Sequence, residues 1–214
     1  MLDIQNLSIC IENKTIIEDL SFSVGPGETV ALLGPSGRGK STIAKAFLGL
    51  QTISKGDILW QGQSITNLSP GQQKEVYKRI QLVMQQAKSA FSPRLTIKHT
   101  LLDTLKYLRG LEGLEAQEEI AAILKQVGLE DRHAQAYPHQ LSGGQCQRLA
   151  LARALLAKPD VIICDEITSA LYAIIQVEIL DLLQKLQKQY GMSILFITHN
   201  EAAARKLGAR IVRI

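Results

Sequence analysis

The sequence predicts an α/β fold in which alternating strands and helices are interrupted by a helical insert and preceded by antiparallel strands. Three observations support this prediction. Short apolar runs alternate with segments of helical spacing in both halves of the chain; strand signals vanish between about 86 and 157; and residues 2–24 alternate apolar and polar side chains. A parallel sheet with a helical insert explains the first two observations, and an antiparallel hairpin explains the third.

The elements follow from these patterns in chain order. Alternating side chains predict hairpin strands at 2–11 and 16–24, turning at Glu12-Asn13-Lys14. The run at 161–164 is apolar throughout, which is typical of a strand covered on both faces. The other predicted strands lie at 29–33, 56–60, 80–84, 193–198 and 210–214. Helices are predicted at about 40–50, 97–109, 115–127 and 143–157. Two more helices are predicted, one with Ile175, Ile179, Leu183 and Leu186 on its apolar side and a short one that begins at residue 200.

Composition limits the classes of protein that fit. The chain has 214 residues, 46% of them hydrophobic and 21% charged, which suits one large domain with an insert. The net charge of +4 is scattered, so no nucleic-acid stripe is indicated. No run reaches the ~20 apolar residues that span a bilayer, and we expect a soluble, cytosolic chain. Cys10, Cys146 and Cys164 lack metal or disulfide spacing and are interpreted as ordinary small residues, of the kind often buried.

Residues 34–41 match the P-loop pattern of Gly, four free positions, Gly, Lys and Ser or Thr. A predicted strand precedes the motif and a predicted helix follows it, as the pattern requires. Glycines let backbone N–H groups turn inward to form an anion site, to which the helix N-terminus adds its dipole. We therefore predict that Lys40 reaches the terminal phosphates of ATP and that Ser41 binds Mg²⁺. The predicted nucleotide-binding residues here are Gly34, Pro35, Ser36, Gly37, Arg38, Gly39, Lys40, Ser41 and Thr42.

Three further side chains are predicted at the carboxyl edge of the parallel sheet. ATP hydrolysis needs a metal to offset charge on the phosphates and a base to orient water. Asp165 and Glu166 end the apolar strand at 161–164 and supply both: Asp165 would hold Mg²⁺ through water, and Glu166 would point toward the γ-phosphate. His199 follows the strand at 193–198 at the same edge, which favours a γ-phosphate contact.

A second anion site is predicted where residues 141–145 open a helix. Ser142, Gly143, Gly144 and Gln145 bring a hydroxyl and two glycines to the helix start. One chain cannot fold both anion sites onto one nucleotide if they lie at opposite ends of the insert. A symmetric head-to-tail dimer, in which this site covers ATP held by the partner's P-loop, resolves the conflict.

Together these motifs resemble the ATP-binding subunits of ABC transporters over essentially the whole chain. The resemblance implies a P-loop NTPase (ABC ATPase) core with an antiparallel β subdomain and a helical insert. It implies one domain over 1–214, with the nucleotide-binding core at about 1–85 plus 158–214 and the helical subdomain at about 86–157.

The resemblance also implies residue roles. Residues 34–41 look like Walker A, Gln85 like the Q-loop glutamine, 141–145 like the signature motif, 161–166 like Walker B and His199 like the switch histidine. Carried over to this chain, the catalytic residues are Glu166 as base, His199, Gln85 and Lys40. The Mg²⁺ residues are Ser41, Gln85 and Asp165, and Ser142, Gly143, Gly144 and Gln145 contact the partner's ATP.

The implied partners are transmembrane permease subunits, a second ABC ATPase that is identical or related, and, indirectly, a substrate-binding protein. In this family a groove of the insert receives a helix of the membrane subunit, and the expected location is peripheral, at the cytoplasmic face of the inner membrane. A narrower resemblance, carried by 80–85, 89–96 and 137–140, is to the nickel and di- or oligopeptide importer branch. Nickel, a metal chelate and a peptide all stay open as cargo.

The chain departs from the family pattern at several positions. Ile167 stands where proline is usual, Tyr172 where the D-loop normally ends in Asp, and Ile11 near the place of an aromatic that stacks on adenine. Tyr172 leads to the hypothesis of weakened coupling between two ATP sites or dependence on a non-identical partner. The chain stops at Ile214, before a terminal strand-turn and helix that such subunits usually carry, and truncation there stays open. Two alternatives remain: a soluble ABC ATPase acting on nucleic acid or ribosomes, and a weakly hydrolysing, nucleotide-gated partner subunit.

Overall fold

Two sheets form the framework of the computed structural model, which describes residues 1–12, 14–35 and 37–214. The antiparallel sheet has the strand order β2-β1-β4-β5, and the parallel sheet has the order β6-β7-β8-β3-β9. The strands are β1 (Leu2–Ile11), β2 (Lys14–Val24), β3 (Thr29–Leu33), β4 (Lys55–Trp60), β5 (Gln63–Ser64), β6 (Ile80–Val83), β7 (Val161–Asp165), β8 (Ser193–Thr198) and β9 (Arg210–Arg213). The predicted α/β class, with an antiparallel β subdomain, is confirmed.

Helices lie between β3 and β6, in the insert between β6 and β7, and between β7 and β9. They are α1 (Lys40–Ala46), α2 (Pro70–Arg79), α3 (Ile97–Arg109), α4 (Gly113–Gln126), α5 (Asp131–Gln135), α6 (Gly143–Leu155), α7 (Ala173–Tyr190) and α8 (Glu201–Lys206). Two 3₁₀ turns lie at Ala87–Ala90 and Pro138–Gln140. Glycines in the left-handed conformation end α3 and α7, at Gly110 and Gly191. The insert from about 86 to 157 therefore contains helices and turns, as the loss of strand signals predicted.

The parallel sheet is covered on both faces. Strand β7 shows why its sequence is apolar throughout: Ile162 and Cys164 belong to the core cluster that includes residues of α3, α4, α6 and α7, whereas Val161 and Ile163 belong to the cluster that includes residues of α1 and the antiparallel sheet. Because side chains of a strand point alternately to opposite faces, both sets must be apolar. The register Val161↔Ser193 through Asp165↔Ile197 aligns β7 with β8. This alignment brings the residues that follow both strands to one edge of the sheet.

Several details differ from the sequence predictions. Helix α1 ends at Ala46 rather than near residue 50, because Gly49 turns the chain with a φ of 66°. Helix α2 was not predicted. Cys146 and Cys164 are buried, but Cys10 is exposed, so the expectation of burial is wrong for Cys10. The predicted turn residue Asn13 lies outside the described residues. Within the described ranges, every helix is too short or too polar to cross a membrane.

Candidate functional site

The loop between β3 and α1 requires glycine at particular positions. Gly37 and Gly39 have φ values of 81° and 80°, which side-chain-bearing residues rarely adopt. A Cβ on Gly39 would lie 2.4 Å from Cγ2 of Ile16, and one on Gly34 would lie 2.7 Å from Cγ1 of Ile214. The loop is therefore closely packed against its surroundings as well as conformationally unusual. Predicted residue Ser36 lies outside the described residues.

A cleft of about 480 Å³ lies beside this loop. Among the predicted nucleotide-binding and catalytic residues, those that line it are Gly37, Gly39, Lys40, Ser41, Thr42, Gln85 and Glu166. Gly34, Pro35 and Arg38 belong to the loop without lining the cleft. Ile11 and Ile16 form an aliphatic wall on the side of the antiparallel sheet. Ile11 thus borders the cleft with an aliphatic side chain, at the position where the resemblance led us to expect an aromatic one.

Lys40 is a buried cation at the centre of the site. The residue is only 4% exposed. Its Nζ donates hydrogen bonds to the carbonyl oxygens of Gly34, at 2.9 Å, and Pro35, at 2.8 Å. The same nitrogen lies 3.1 Å from Oε1 of Glu166. The ammonium group is therefore balanced by one carboxylate and two carbonyl dipoles, all at the end of the sheet where β3 and β7 terminate.

The carboxylates after β7 occupy different environments. Asp165 is 6% exposed, and its Oδ1 is buried with no hydrogen-bond partner among the described residues. Burial raises the pKa of Asp165, and a hydrogen bond with the Ser41 hydroxyl partly opposes that rise. A buried, unpaired carboxylate oxygen beside a serine hydroxyl suits a hard cation such as Mg²⁺, which prefers oxygen ligands. The residues present therefore fit the ion that the sequence predicted.

Glu166 adopts a left-handed backbone conformation, with a φ of 48°. This conformation is unfavourable for a residue with a Cβ, by about 1–2 kcal/mol. The backbone N–H of Glu166 donates to the carbonyl oxygen of Ile197 at 2.9 Å, which ties the residue to β8. Nδ1 of His199 lies 3.5 Å from Oε1 of Glu166, so the residues following β7 and β8 meet as the strand register predicted.

Gln85 reaches Glu166 through a residue to which the sequence had assigned no role. Nε2 of Gln85 donates to Oγ of Ser169 at 2.8 Å, and Oγ of Ser169 donates to the carbonyl oxygen of Glu166 at 2.9 Å. Nothing in the sequence pattern signals that contact, because Gln85 and Ser169 are far apart in the chain. The short chain of hydrogen bonds connects the end of β6 to the backbone of Glu166.

The second predicted anion site lies apart from the cleft. Ser142 caps α6: its Oγ accepts a hydrogen bond from the backbone N–H of Gln145, and the Gln145 side chain accepts one from the N–H of Ser142. Gly144 packs closely against α7, because a Cβ there would lie 2.8 Å from Cγ2 of Ile175. Residues 142–145 are absent from the lining of the 480 Å³ cleft. The structure therefore does not bring them to the same chain's P-loop.

The chain belongs to the ABC transporter family, whose profile matches residues 17–169. The resemblance inferred from the motifs is thereby confirmed. The chain is also similar to a solved ATP-binding cassette, MJ0796, described as a dimer in a post-hydrolysis state bound to ADP and Pi. The identity is 31% and the TM-score 0.87, covering 100% of this chain and 94% of that one.

Three similar proteins of assigned function are ATP-binding proteins named for transport or import. The oligopeptide transport ATP-binding protein OppF of Haemophilus influenzae is 41% identical over 92% of this chain, and the nickel import ATP-binding protein NikE of Shigella boydii is 39% identical over 94%. The glutathione import ATP-binding protein GsiA of Escherichia coli K12 is 41% identical over 91%. The chain spans 59% of the length of OppF, 75% of NikE and 31% of GsiA.

Proposed function

We propose that this chain binds and hydrolyses ATP to drive an ABC importer. One observation supports this most directly: buried Lys40, buried Asp165, Glu166 and His199 converge at one edge of the parallel sheet, beside a cleft lined by the P-loop. The cation suits phosphate binding, Asp165 suits metal binding, Glu166 suits activation of water, and the imidazole of His199 suits a γ-phosphate contact.

The binding roles follow from the chemistry of each group. Lys40 and the backbone N–H groups of residues 37–41 would hold the β- and γ-phosphates. Ser41, Asp165 and Gln85 would hold Mg²⁺, which when bound offsets charge that develops on the phosphates. Gln85 must then give up its hydrogen bond to Ser169 or present its other amide atom to the ion. Ile11 and Ile16 offer aliphatic contact at the side of the cleft.

The proposed base is Glu166. Its carboxylate can accept a proton from water, provided that the charge is not fully engaged by Lys40. The phosphates of ATP would compete for Lys40 and so release Glu166 toward the water, while His199 lies close enough to contact a γ-phosphate at the same edge. Binding of the nucleotide and activation of the base would thus be linked through one lysine.

We further propose that two cassettes pair head to tail. Residues 142–145 lie outside the cleft, so Ser142, Gly143, Gly144 and Gln145 would contact ATP held by the other subunit. Tyr172, which is 89% exposed, and Ile174 add exposed apolar surface nearby, at the start of α7. Both features suit a symmetric interface, and two solved structures of one relative, MJ0796, are described as dimeric. The partner is either this chain or a related ATPase.

The wider assembly is proposed by likeness to import subunits. Permease subunits would anchor the chain peripherally at the cytoplasmic face of the inner membrane, and a substrate-binding protein would deliver the cargo to them. The nucleotide-binding core would comprise about 1–85 plus 158–214, and the helical subdomain about 86–157. A peptide, nickel or a metal chelate remains the proposed range of cargo, because the groups in the cleft recognise nucleotide and not cargo.

Three measurements test the proposal. Purified protein should release phosphate from ATP only with Mg²⁺, and Lys40→Met should abolish ATP binding, whereas Lys188→Met on the far surface of α7 should not. Mg²⁺-independent turnover, or normal binding by the Lys40 variant, would contradict the ATPase assignment. Expression with the native permease subunits should then yield a membrane complex. Recovery of an active ATPase that binds ribosomes and no permease would favour the soluble alternative.

A further inference from the structure

A second cavity, of about 290 Å³, lies behind the nucleotide cleft. Its walls come from the 85–89 segment after β6, from the first turns of α6 and from residues 170–171 before α7. Gln85 lines both this cavity and the nucleotide cleft. Gln85, which is connected to Glu166 through Ser169, therefore lies between this cavity and the nucleotide cleft.

Gln147 of α6 lines the same cavity and carries an unusual amide. The residue is 2% exposed, and its Nε2 is buried without a hydrogen-bond partner among the described residues. Buried amides are nearly always hydrogen-bonded, since an unsatisfied donor costs the free energy of its lost hydration. A methionine has a similar shape and would avoid this cost. The glutamine thus suits a conformation in which its amide finds an acceptor.

Gln85, which lines the same cavity, is a partner of suitable chemistry. Its Nε2 is used by Ser169, but its Oε1 accepts no hydrogen bond from the described part of the chain. The carbonyl oxygen of Gln86, by contrast, already accepts from the N–H and the hydroxyl of Ser89. One cavity therefore has an unused amide donor on the insert side and an unused amide acceptor on the core side.

We propose that Gln147 is a positioning residue for Gln85. When the insert moves toward the core, the cavity narrows and Nε2 of Gln147 donates to Oε1 of Gln85. Gln85 is then held from both ends, by Ser169 and by Gln147, and the orientation of its side chain at the nucleotide cleft is fixed. The movement of α6 is thereby transmitted to the backbone of Glu166 through the hydrogen bonds of Ser169. This inference rests on the proposed ATPase function.

The test is Gln147→Met, which removes the donor and keeps the volume. Without nucleotide, the variant should unfold about 2–4 °C above wild type, because the unpaired buried amide is gone. Its kcat for ATP should fall about tenfold, with KM changed less than twofold, since one hydrogen bond in the active conformation is lost. Gln147→Leu should behave alike and serves if the methionine variant does not fold.

The matched control is Gln187→Met. The amide of Gln187 is already satisfied, by the carbonyl oxygen of Gly27 and Oγ1 of Thr29, at the opposite end of the sheet. Its loss should lower the unfolding temperature and leave kcat unchanged. A lower unfolding temperature and unchanged kcat for Gln147→Met would make Gln147 equivalent to this control and would overturn the inference.

A double-mutant cycle identifies the partner. In a Gln85→Ala background, Gln147→Met should reduce kcat no further, because the acceptor is already missing. An additional tenfold loss would show that Gln147 acts on some other group and would overturn the assignment to Gln85. Wild-type protein without any ATPase activity would contradict the proposed function and the positioning role together. Active wild type with an unaffected Gln147→Met variant would contradict the positioning role alone.

Discussion

Replacing Glu166 by glutamine should weaken the fold only while ATP is absent. The side chain of Glu166 is 14% exposed and lies 3.1 Å from Nζ of the buried Lys40. Removing one member of a buried ion pair usually costs about 3–5 kcal/mol. Here Lys40 keeps its hydrogen bonds to the carbonyl oxygens of Gly34 and Pro35, so we expect the free energy of unfolding to fall by only about 2 kcal/mol. For a chain of this size that loss lowers the unfolding temperature by about 4–8 °C.

ATP should remove most of that difference. Its phosphates carry negative charge to Lys40, so the variant and the wild type then have equivalent counter-charges for the same ammonium group. We expect their unfolding temperatures to differ by less than about 2 °C when Mg²⁺ and a non-hydrolysable ATP analogue are saturating. Phosphate release by Glu166→Gln should nevertheless fall by about 10²- to 10⁴-fold, the usual contribution of a general base.

The assay is thermal unfolding with and without the analogue, followed by phosphate release. Glu119→Gln is the control: Glu119 lies on the helical insert, away from the cleft, and pairs with Arg109 of the insert and with Lys158 directly after it. That variant should lose the same stability in both conditions. If Glu166→Gln lost equal stability in both conditions, Lys40 would not be exchanging Glu166 for phosphate. Normal hydrolysis by Glu166→Gln would refute its role as base.

Three further predictions concern the loop, the start of α7 and a surface ion pair. Gly39→Ala should lower the unfolding temperature more than Gly37→Ala. Both glycines have a φ near 80°, but among the described residues only a Cβ on Gly39 would meet a side chain, at 2.4 Å. Nucleotide titration should also show weaker ATP binding for Gly39→Ala. Tyr172→Asp should raise the unfolding temperature by about 2–4 °C, because Tyr172 is the N-cap of α7 and its side chain makes no capping hydrogen bond. If the ATPase rate and cooperativity of this variant were unchanged, the hypothesis of weakened coupling between two ATP sites would be wrong. The hydrogen bond from Arg210 lowers the pKa of Glu28 in the folded protein. The pair therefore stabilises the fold at pH values above the unfolded-state pKa of about 4.3, and this stabilisation is lost as the pH falls through the lower folded-state pKa. The stability gap between wild type and Glu28→Gln, about 0.5 kcal/mol at pH 7, should therefore disappear in acid when unfolding is measured against pH.

Sequence patterns predicted the bounds of an element well where a residue with a distinctive backbone conformation, such as glycine, ends it. Helix α3 coincides with its predicted range because Gly110 ends it in the left-handed conformation. Helix α2 escaped prediction because Val76 is its only buried residue among those described, too little to give an apolar face. In α1, the apolar pattern continued past Ala46 while the turn at Gly49 ended the helix. Periodicity thus located the core and missed elements that contribute little to it.

The residues of the candidate site likewise fall into those that the sequence could predict and those that it could not. Residues 34–42 and Asp165–Glu166 could be predicted because each set is contiguous, and the loop or strand end that carries it imposes the spacing. The contacts of Ser169, and the lack of a partner for Nε2 of Gln147 among the described residues, could not be predicted, since they depend on where α6 and the loop before α7 lie relative to β6. Ile167 belongs with these: it is buried in the larger core cluster, a fact that its place in the motif did not reveal.

The contacts of Glu166 explain how one residue can respond to events on two sides. Its carboxylate is held by Lys40, which belongs to the P-loop, and its backbone is held by Ser169 and Ile197. The unfavourable φ of 48° persists because those backbone bonds fix it. A phosphate that draws Lys40 away changes the charge next to the carboxylate, whereas a shift of Gln85 acts on the backbone through Ser169. The two influences reach Glu166 through different atoms, so under the proposed function and the proposed role of Gln147 their effects on its activation can add.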